Sequence, residues 1–280
     1  MNLHRLAPAK INLGLHLLRK RPDGYHDLDT VFARIGWADA LTATSAETFR
    51  FTCSDPALPT GPGNLCVRAA QALAAHAGVP MTGHLHLEKH VPYGAGLGGG
   101  SSDAATTLYL LRDLWGVAVA DESLHDLATV LGSDVPFFLG PPLARGTGRG
   151  THLTPLAADL PFWLVVVVPA HLTISTPDAY RHVRPHDTER PHLPALVQQA
   201  DLTIWRADLV NDFEAALFPS LPALADLKDA LYDLGAGYAA LSGSGSALFG
   251  VFTTATPAEH AATHLHEAGH RVWHGALSAH

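Results

Sequence analysis

Cysteine is nearly absent from this chain of 280 residues, which holds only Cys53 and Cys66, too far apart for a CxxC pair. That excludes a disulfide framework and fits a reducing compartment, so the cytoplasm is the expected location. Charge is scarce as well. Charged residues make up 16% against 47% hydrophobic, and the net charge is −8. Such a composition builds a packed core, and with no basic stripe it gives no purchase to nucleic acid or to an anionic membrane. No apolar run approaches the roughly 20 residues of a membrane span. The opening MNLHRLAPAKIN lacks the apolar core of a secretion signal. These absences leave a globular chain of one large or two ordinary domains, expected to work as a monomer or weak homodimer. A small anion remains a possible ligand, because local donors overrule net charge.

Residues 11–18 alternate in part with period two, and residues 31–37 form a second β-like run. Behind the turn-rich SDPALPTGPGN, the segment LCVRAAQALAAHAG reads as a helix, with Asn64 as N-cap and Gly78 as its stop. Leu85 and Leu87 alternate with His86 and Glu88 in a half-exposed strand, and residues 123–131 form a short helix. The second half opens on WLVVVVP, whose β-branched run predicts a strand buried on both faces. RHVRPHDTERPHLP reads as an exposed loop. Helices are expected over 223–234 and 257–268, and strands over 238–241, 247–252 and 271–277. Mixing without strict βαβ alternation predicts an α+β fold. A stretch rich in Pro, Gly and Thr near 141–160 divides the chain into expected domains 1–150 and 151–280.

Residues 91–105 read VPYGAGLGGGSSDAA, five glycines in seven positions ahead of an apolar helical run. A single tight turn needs one or two glycines, so five mark a close approach of bare backbone. A P-loop requires a lysine after the glycines, and none is there. Gly94, Gly96 and Gly99 fit the dinucleotide pattern GxGxxG, with Asp121 as the ribose partner, but the strand before them carries Glu88, Lys89 and Pro92. The remaining pattern is a glycine loop feeding a helix through Ser101 or Ser102 as cap, with Ala104, Leu108, Leu111 and Trp115 on its apolar face. Amides at such a helix start converge on a phosphate.

Two further residues stand out. Lys10 lies inside the apolar PAKIN segment and is costly to bury unless it meets an oxygen anion; a lysine snorkelling at a strand edge is the plain alternative. Asp134 stands among Val135, Phe137 and Phe138, where a turn-capping aspartate is the plain alternative. A Lys–Asp pair beside a phosphate loop suits phosphoryl transfer, since the lysine keeps the carboxylate ionised and the carboxylate orients a hydroxyl proton.

Together these segments resemble the GHMP kinases, which include galactokinase, homoserine kinase and mevalonate kinase. The family's phosphate loop, Pro-x-Gly-x-Gly-Leu-Gly-x-Gly-Ser-Ser, matches Pro92 through Ser102, and its C-terminal glycine motif matches LSGSGSALFG at 241–250. PAKINLGLHLL, RPDGYHDL and TVF, followed in order by NLCVRAA, GSDVPFF, LTPL, STPDAY and NDFE, are similar to the branch acting on a cytidylyl acceptor of the non-mevalonate isoprenoid route. The resemblance implies a ribosomal-protein-S5-like N-terminal domain, a ferredoxin-like C-terminal domain and an active site in the cleft. It implies ATP with Mg²⁺, the metal ligands being unknown, and a small-molecule cytidylyl substrate phosphorylated on its 2-hydroxyl. Lys10 and Asp134 match the catalytic pair. Asn64, Pro92, Gly94, Ala95, Gly96, Leu97, Gly98, Gly99, Gly100, Ser101 and Ser102 match the nucleotide-binding positions. Asn12, Tyr25, His26 and Tyr180 match the acceptor-binding ones, with aromatic rings stacking the base. On the residues alone, Tyr25 also reads as a turn aromatic. One departure occurs in RGTGRGTHLTP, where Arg149 stands near an expected glutamate.

Three other readings have distinct requirements. A GHMP kinase for another alcohol would lack the DGYH pair, a nicotinamide dehydrogenase would need Asp121 on a ribose, and a non-catalytic relative would lack the Lys–Asp pair. Residues 266–270, HEAGH, match the zinc-protease pattern HExxH formally. Gly269 is expected to end the helix that both histidines would have to share, and only His274 and His280 remain as a third ligand.

Overall fold

The computed structural model describes residues 1–185 and 189–277. Two long strands, β1 (Asn2–Lys20) and β2 (His26–Thr44), open the chain, joined by a tight turn in which Arg21 N–H donates to Tyr25 O at 2.8 Å. Both outrun the expected runs at either end. Proline and glycine hide the continuity of β1 in the sequence. At Gly14 the chain takes φ +76°, and a Cβ would lie 2.7 Å from a Leu193 methyl, so only glycine fits that point of the strand.

The contacts divide the molecule into two compact units, each assembled from separate stretches of chain. The first comprises Met1–Ala9, Trp37–Tyr93 and Gly98–Pro141. It holds β3 (Arg50–Cys53), α1 (Leu65–Ala77), β4 (His84–Glu88), α2 (Gly99–Trp115) and α3 (Asp121–Leu131). β4 pairs parallel with β3 and antiparallel with Ala40–Thr44 of β2. α1 starts where its cap predicts, since the Asn64 side chain accepts from Cys66 N–H and Gly78 closes the helix in the left-handed region. α1 packs on α2, and Val67, Ala70 and Leu73 of α1 and Ala104, Leu108 and Leu111 of α2 are all buried. Each such leucine contributes about 2 kcal/mol by burial. Trp115 is only half-buried and gives its indole N–H to Thr82 O at 3.1 Å.

The second unit comprises Lys10–Gly36, Gly94–Leu97 and Pro142–His280. It holds β5 (Leu143–Gly148), β6 (His152–Pro155), β7 (Phe162–Val168), α4 (Thr176–His182), α5 (Leu193–Gln199), α6 (Leu202–Asp208), α7 (Asp212–Leu217), α8 (Pro222–Asp233), β8 (Tyr238–Leu241), β9 (Leu248–Phe252), α9 (Ala255–Glu267) and β10 (Arg271–Leu277). β5 pairs antiparallel with Leu28–Ala33 of β2 and with β6. The last four strands make an antiparallel sheet in the order β10-β7-β9-β8, with Trp273, Val166, Phe249 and Ala240 in register across it. α8 and α9 pack on this sheet. Leu164 through Val167 are fully buried, as the unbroken apolar run of β7 predicts. The stretch read as an exposed loop is more ordered than expected. Arg181 and His182 end α4, Val183 is buried, and Arg190 grips Asp212 through two bonds of 2.6 Å; residues 186–188 lie outside the described ones.

Candidate active site

Lys10 is buried on β1, only 3% exposed, and Phe32 faces its ammonium at 5.6 Å from the ring centroid. Its Nζ donates to Asn12 Oδ1 at 2.7 Å and to the carbonyl of Gly96 at 2.9 Å. The edge-snorkelling reading of Lys10 is thereby corrected: strand alternation turns Lys10 and Asn12 inward, onto the glycine loop. Asn12 is fixed in turn, its Nδ2 donating to Thr30 Oγ1 at 2.9 Å, and Thr30 Oγ1 donating to Gly14 O at 2.6 Å.

The middle of the glycine loop, Gly94–Leu97, is held from two sides. Lys10 N–H donates to Leu97 O, Ala247 N–H to Ala95 O, and Ser242 Oγ–H to Gly96 O at 3.0 Å. A Cβ on Gly96 would stand 2.2 Å from Ser242 O and 3.1 Å from Gly245 N and O. The close approach announced by this glycine is therefore to the second glycine motif of the same chain. A Cβ on Gly243 would likewise meet Lys10 Nζ and Asn12 Oδ1 at 3.3 Å. Residues 94–97 and the second glycine motif, 241–250, meet where the lysine ends.

Of the expected acceptor residues, Asn12 lies on β1, Tyr25 on the turn after it, His26 at the start of β2 and Tyr180 on α4. His26 is buried and stacks on Tyr180 with ring centroids 5.0 Å apart and 29° between planes, and Tyr180 meets Phe213 edge-on at 4.9 Å. Burial, assisted by the positive charge of Lys20, lowers the His26 pKa. The ring is thus neutral near pH 7, with one nitrogen donating and one accepting. Tyr25 is 51% exposed, and the Arg149 guanidinium lies over its ring, 3.5 Å from the centroid. The departure at RGTGRGTHLTP is thus a β5–β6 hairpin whose tip turns through Gly148 (φ +64°) and Gly150 (φ +88°) and lays Arg149 on Tyr25.

In the first unit α2 begins at Gly99, capped by Gly98 at φ +68° with no side-chain bond. This corrects the expectation that Ser101 or Ser102 caps it: the helix reaches back into the glycines, and both serines lie within its first turn. The first intrahelical bond is Ser102 N–H to Gly98 O at 2.9 Å, so the amides of Gly99, Gly100 and Ser101 precede it at the positive end of the helix. Ser102 Oγ is buried without a hydrogen-bond partner among the described residues. Gly100 is half-buried, Pro92 buried, and Asn64 caps α1 while donating its Nδ2–H to Pro59 O. Asp134 precedes a 3-10 turn (Val135–Leu139) and is half-exposed. Asp121 opens α3, 80% exposed at its side chain and paired with Arg112 at 2.7 Å. It occupies a helix start rather than a strand end, so the dinucleotide reading loses its ribose partner.

Sequence reasoning missed the brace under the C-terminal motif. Buried Asn211 donates to Leu241 O at 2.8 Å and to Gly243 O at 2.9 Å, while its Oδ1 accepts from Phe213 N–H. Nothing but its place in NDFE singled it out. The HEAGH match dissolves as expected: α9 ends at Glu267, Gly269 turns at φ +91°, and His270 lies off the helix that carries His266. His274 sits exposed on β10, and His280 lies outside the described residues. Among the described residues no group of three or more His, Cys, Asp or Glu could hold a metal, and no helix is long and apolar enough to cross a membrane.

The family model described as the GHMP kinases N terminal domain matches residues 64–140, and that described as GHMP kinases C terminal matches 193–271. A curated relative from Salinibacter ruber (strain DSM 13855 / M31), a 4-diphosphocytidyl-2-C-methyl-D-erythritol kinase, is 52% identical over 90% of this chain and 90% of its own. The kinase of the same description from Chlorobium phaeobacteroides (strain BS1) is 46% identical over 93% of each chain. A solved 4-(cytidine 5'-diphospho)-2C-methyl-D-erythritol kinase superposes with TM-score 0.85 at 39% identity, covering 99% of this chain and 100% of that one. A homoserine kinase from Cytophaga hutchinsonii ATCC 33406 shares the fold alone, with TM-score 0.76 at 17% identity over 99% of this chain and 95% of its own. Two family domains, an α+β fold and relatives of this identity along most of the chain lead to one conclusion: the chain belongs to the GHMP kinases.

Proposed function

We propose that this kinase transfers the γ-phosphoryl group of ATP to the 2-hydroxyl of 4-diphosphocytidyl-2-C-methyl-D-erythritol, giving the 2-phosphate and ADP. Relatives described by that activity at up to 52% identity support the reading. The single observation that carries the acceptor's identity is the ring cluster. A neutral His26 stacked on Tyr180, with exposed Tyr25 preceding it in the chain, suits a cytosine: stacking holds its faces while His26 offers a donor and an acceptor to its edge.

The division of labour follows from the chemistry of each group. Amides at the start of α2 stabilise negative charge on the phosphates, as helix starts do. Lys10, held by Asn12 and Gly96, places a fixed positive charge for the transfer. Asp134 orients the acceptor hydroxyl and takes its proton as the P–O bond forms. That hydroxyl sits on a carbon that also bears a methyl group, so it is a hindered tertiary nucleophile, and positioning is the larger part of the task. Bound Mg²⁺ would supply counter-charge to the phosphates. The reaction is assigned to the cytoplasm and to a monomer or weak homodimer.

Phosphorus NMR of the product tests the assignment. Carbon 2 carries no hydrogen, so a phosphate there gives a resonance without coupling to a carbinol proton. A doublet or triplet would place the phosphate on a secondary or primary carbon and overturn the 2-hydroxyl assignment.

A further inference from the structure

In the first unit three charged side chains are buried together. Lys89 Nζ lies 2.5 Å from Asp39 Oδ2 and 3.0 Å from Asp103 Oδ2, and all three side chains are at most 5% exposed. Each ties down a different piece of backbone. Asp39, on β2, accepts from His90 N–H at 2.6 Å and from Val91 N–H at 2.9 Å, which fixes the chain as it enters the glycine loop. Asp103 belongs to α2, immediately after Ser102. Lys89 Nζ stands 3.4 Å from where a Cβ on Gly99 would be, so the ammonium lies against the first residue of the helix. One cluster therefore holds both feet of the loop.

Its charges do not balance. Two carboxylates share one ammonium, and Asp103 Oδ1 is buried with no hydrogen-bond partner among the described residues. With both carboxyls ionised, the cluster would carry a net negative charge in a buried site, behind the amides of Gly99, Gly100 and Ser101. A triphosphate brought to those amides would meet that charge.

We propose that Asp39, Lys89 and Asp103 form a positioning unit for the nucleotide, neutral only when the Asp103 carboxyl holds a proton, and that nucleotide binding selects this neutral form. The proposal rests on the reading that the glycine loop receives the ATP phosphates. Burial first, then the neighbouring Asp39, push the Asp103 carboxyl up to about 8 against the pull of Lys89. Burial also opposes the charge on Lys89, but Asp103 and Asp39 more than offset it and raise its pKa. Cys66 on α1 and Cys53 at the end of β3 also face Asp103, and burial raises both thiols above their ordinary range. Loss of the Asp103 proton adds negative charge behind the amides, so nucleotide affinity falls as pH rises through this range.

The test is calorimetric titration of the full chain with the non-hydrolysable analogue AMPPNP and Mg²⁺ between pH 7 and pH 9. Asp103→Asn, which stays neutral, is the conservative variant. If only the protonated cluster binds, the wild-type Kd rises about tenfold over that interval, while Asp103→Asn stays within about twofold. A flat wild-type profile, or the same rise in Asp103→Asn, overturns the proposal. Absence of AMPPNP binding at any pH overturns it together with the reading of the loop. Binding that follows the expected profile without turnover of the cytidylyl acceptor upholds the triad and removes only the acceptor assignment.

Discussion

Gly94 and Gly96 make a matched pair for separating backbone strain from steric contact. Both sit in the left-handed region, at φ +70° and +78°. Around Gly94 an added Cβ meets nothing within 4 Å, whereas at Gly96 it would stand 2.2 Å from Ser242 O. Gly94→Ala therefore costs only the conformational penalty, about 1 kcal/mol. Gly96→Ala costs that and an overpacking term of about 2 kcal/mol, because the obstructing atoms are backbone and have no rotamer to escape into. The difference of about 2 kcal/mol corresponds to melting temperatures about 4–8 °C apart for a chain of this size. The Gly96 carbonyl also anchors Lys10, so turnover by Gly96→Ala should fall at least about tenfold as the ammonium shifts. Thermal melts of wild type and both variants, followed by steady-state rates, read both effects. Equal melting temperatures for the two variants would refute the packing of the loop against the second glycine motif.

Three further outcomes follow from the same geometry. Asn211→Ala deletes three buried hydrogen bonds and should lower stability by about 2–3 kcal/mol in a urea or thermal melt; a loss below about 0.5 kcal/mol would show the brace to be idle. His16 is buried, and burial first, then Arg190, lower its pKa from 6.5 to about 4. Its protonation thus favours the unfolded chain, and stability should fall by up to about 3 kcal/mol as pH drops from 6.5 to 4. His16→Gln should flatten that limb of the melting curve, and an unchanged slope would remove the assignment. Tyr180→Ala should raise the acceptor KM roughly 5- to 150-fold through lost stacking while leaving the ATP KM unaltered; parallel changes in both would contradict its role.

The sequence made legible what is local. Asn64 and Gly78 bounded α1 because capping acts within a few residues, and the β-branched run of β7 showed its burial directly. The start of α2 was misread because serine is the stronger cap in general. Here the left-handed Gly98 ends the loop earlier, and only glycine takes that conformation cheaply. Lys10 and the glycine loop stood out as motifs, but their junction at Gly96 joins residues 86 apart along the chain. The Asp39–Lys89–Asp103 cluster left no trace at all, since 50 residues separate Lys89 from Asp39 and no periodicity links a strand, a loop and a helix in that way. Arg149 was visible as a departure from the family pattern. Its seat on Tyr25 depends on a hairpin whose turn needs two glycines, Gly148 and Gly150, in the left-handed region.

Phosphorylation of a cytidylyl alcohol is read by ADP release. The protein is incubated with ATP and Mg²⁺ and offered 4-diphosphocytidyl-2-C-methyl-D-erythritol, mevalonate or homoserine in parallel, with Asp134→Asn as the paired variant. ADP should form rapidly with the cytidylyl acceptor alone, and most of that turnover should be lost in Asp134→Asn. Equal turnover with mevalonate or homoserine, or none with the cytidylyl acceptor, would contradict the acceptor assignment.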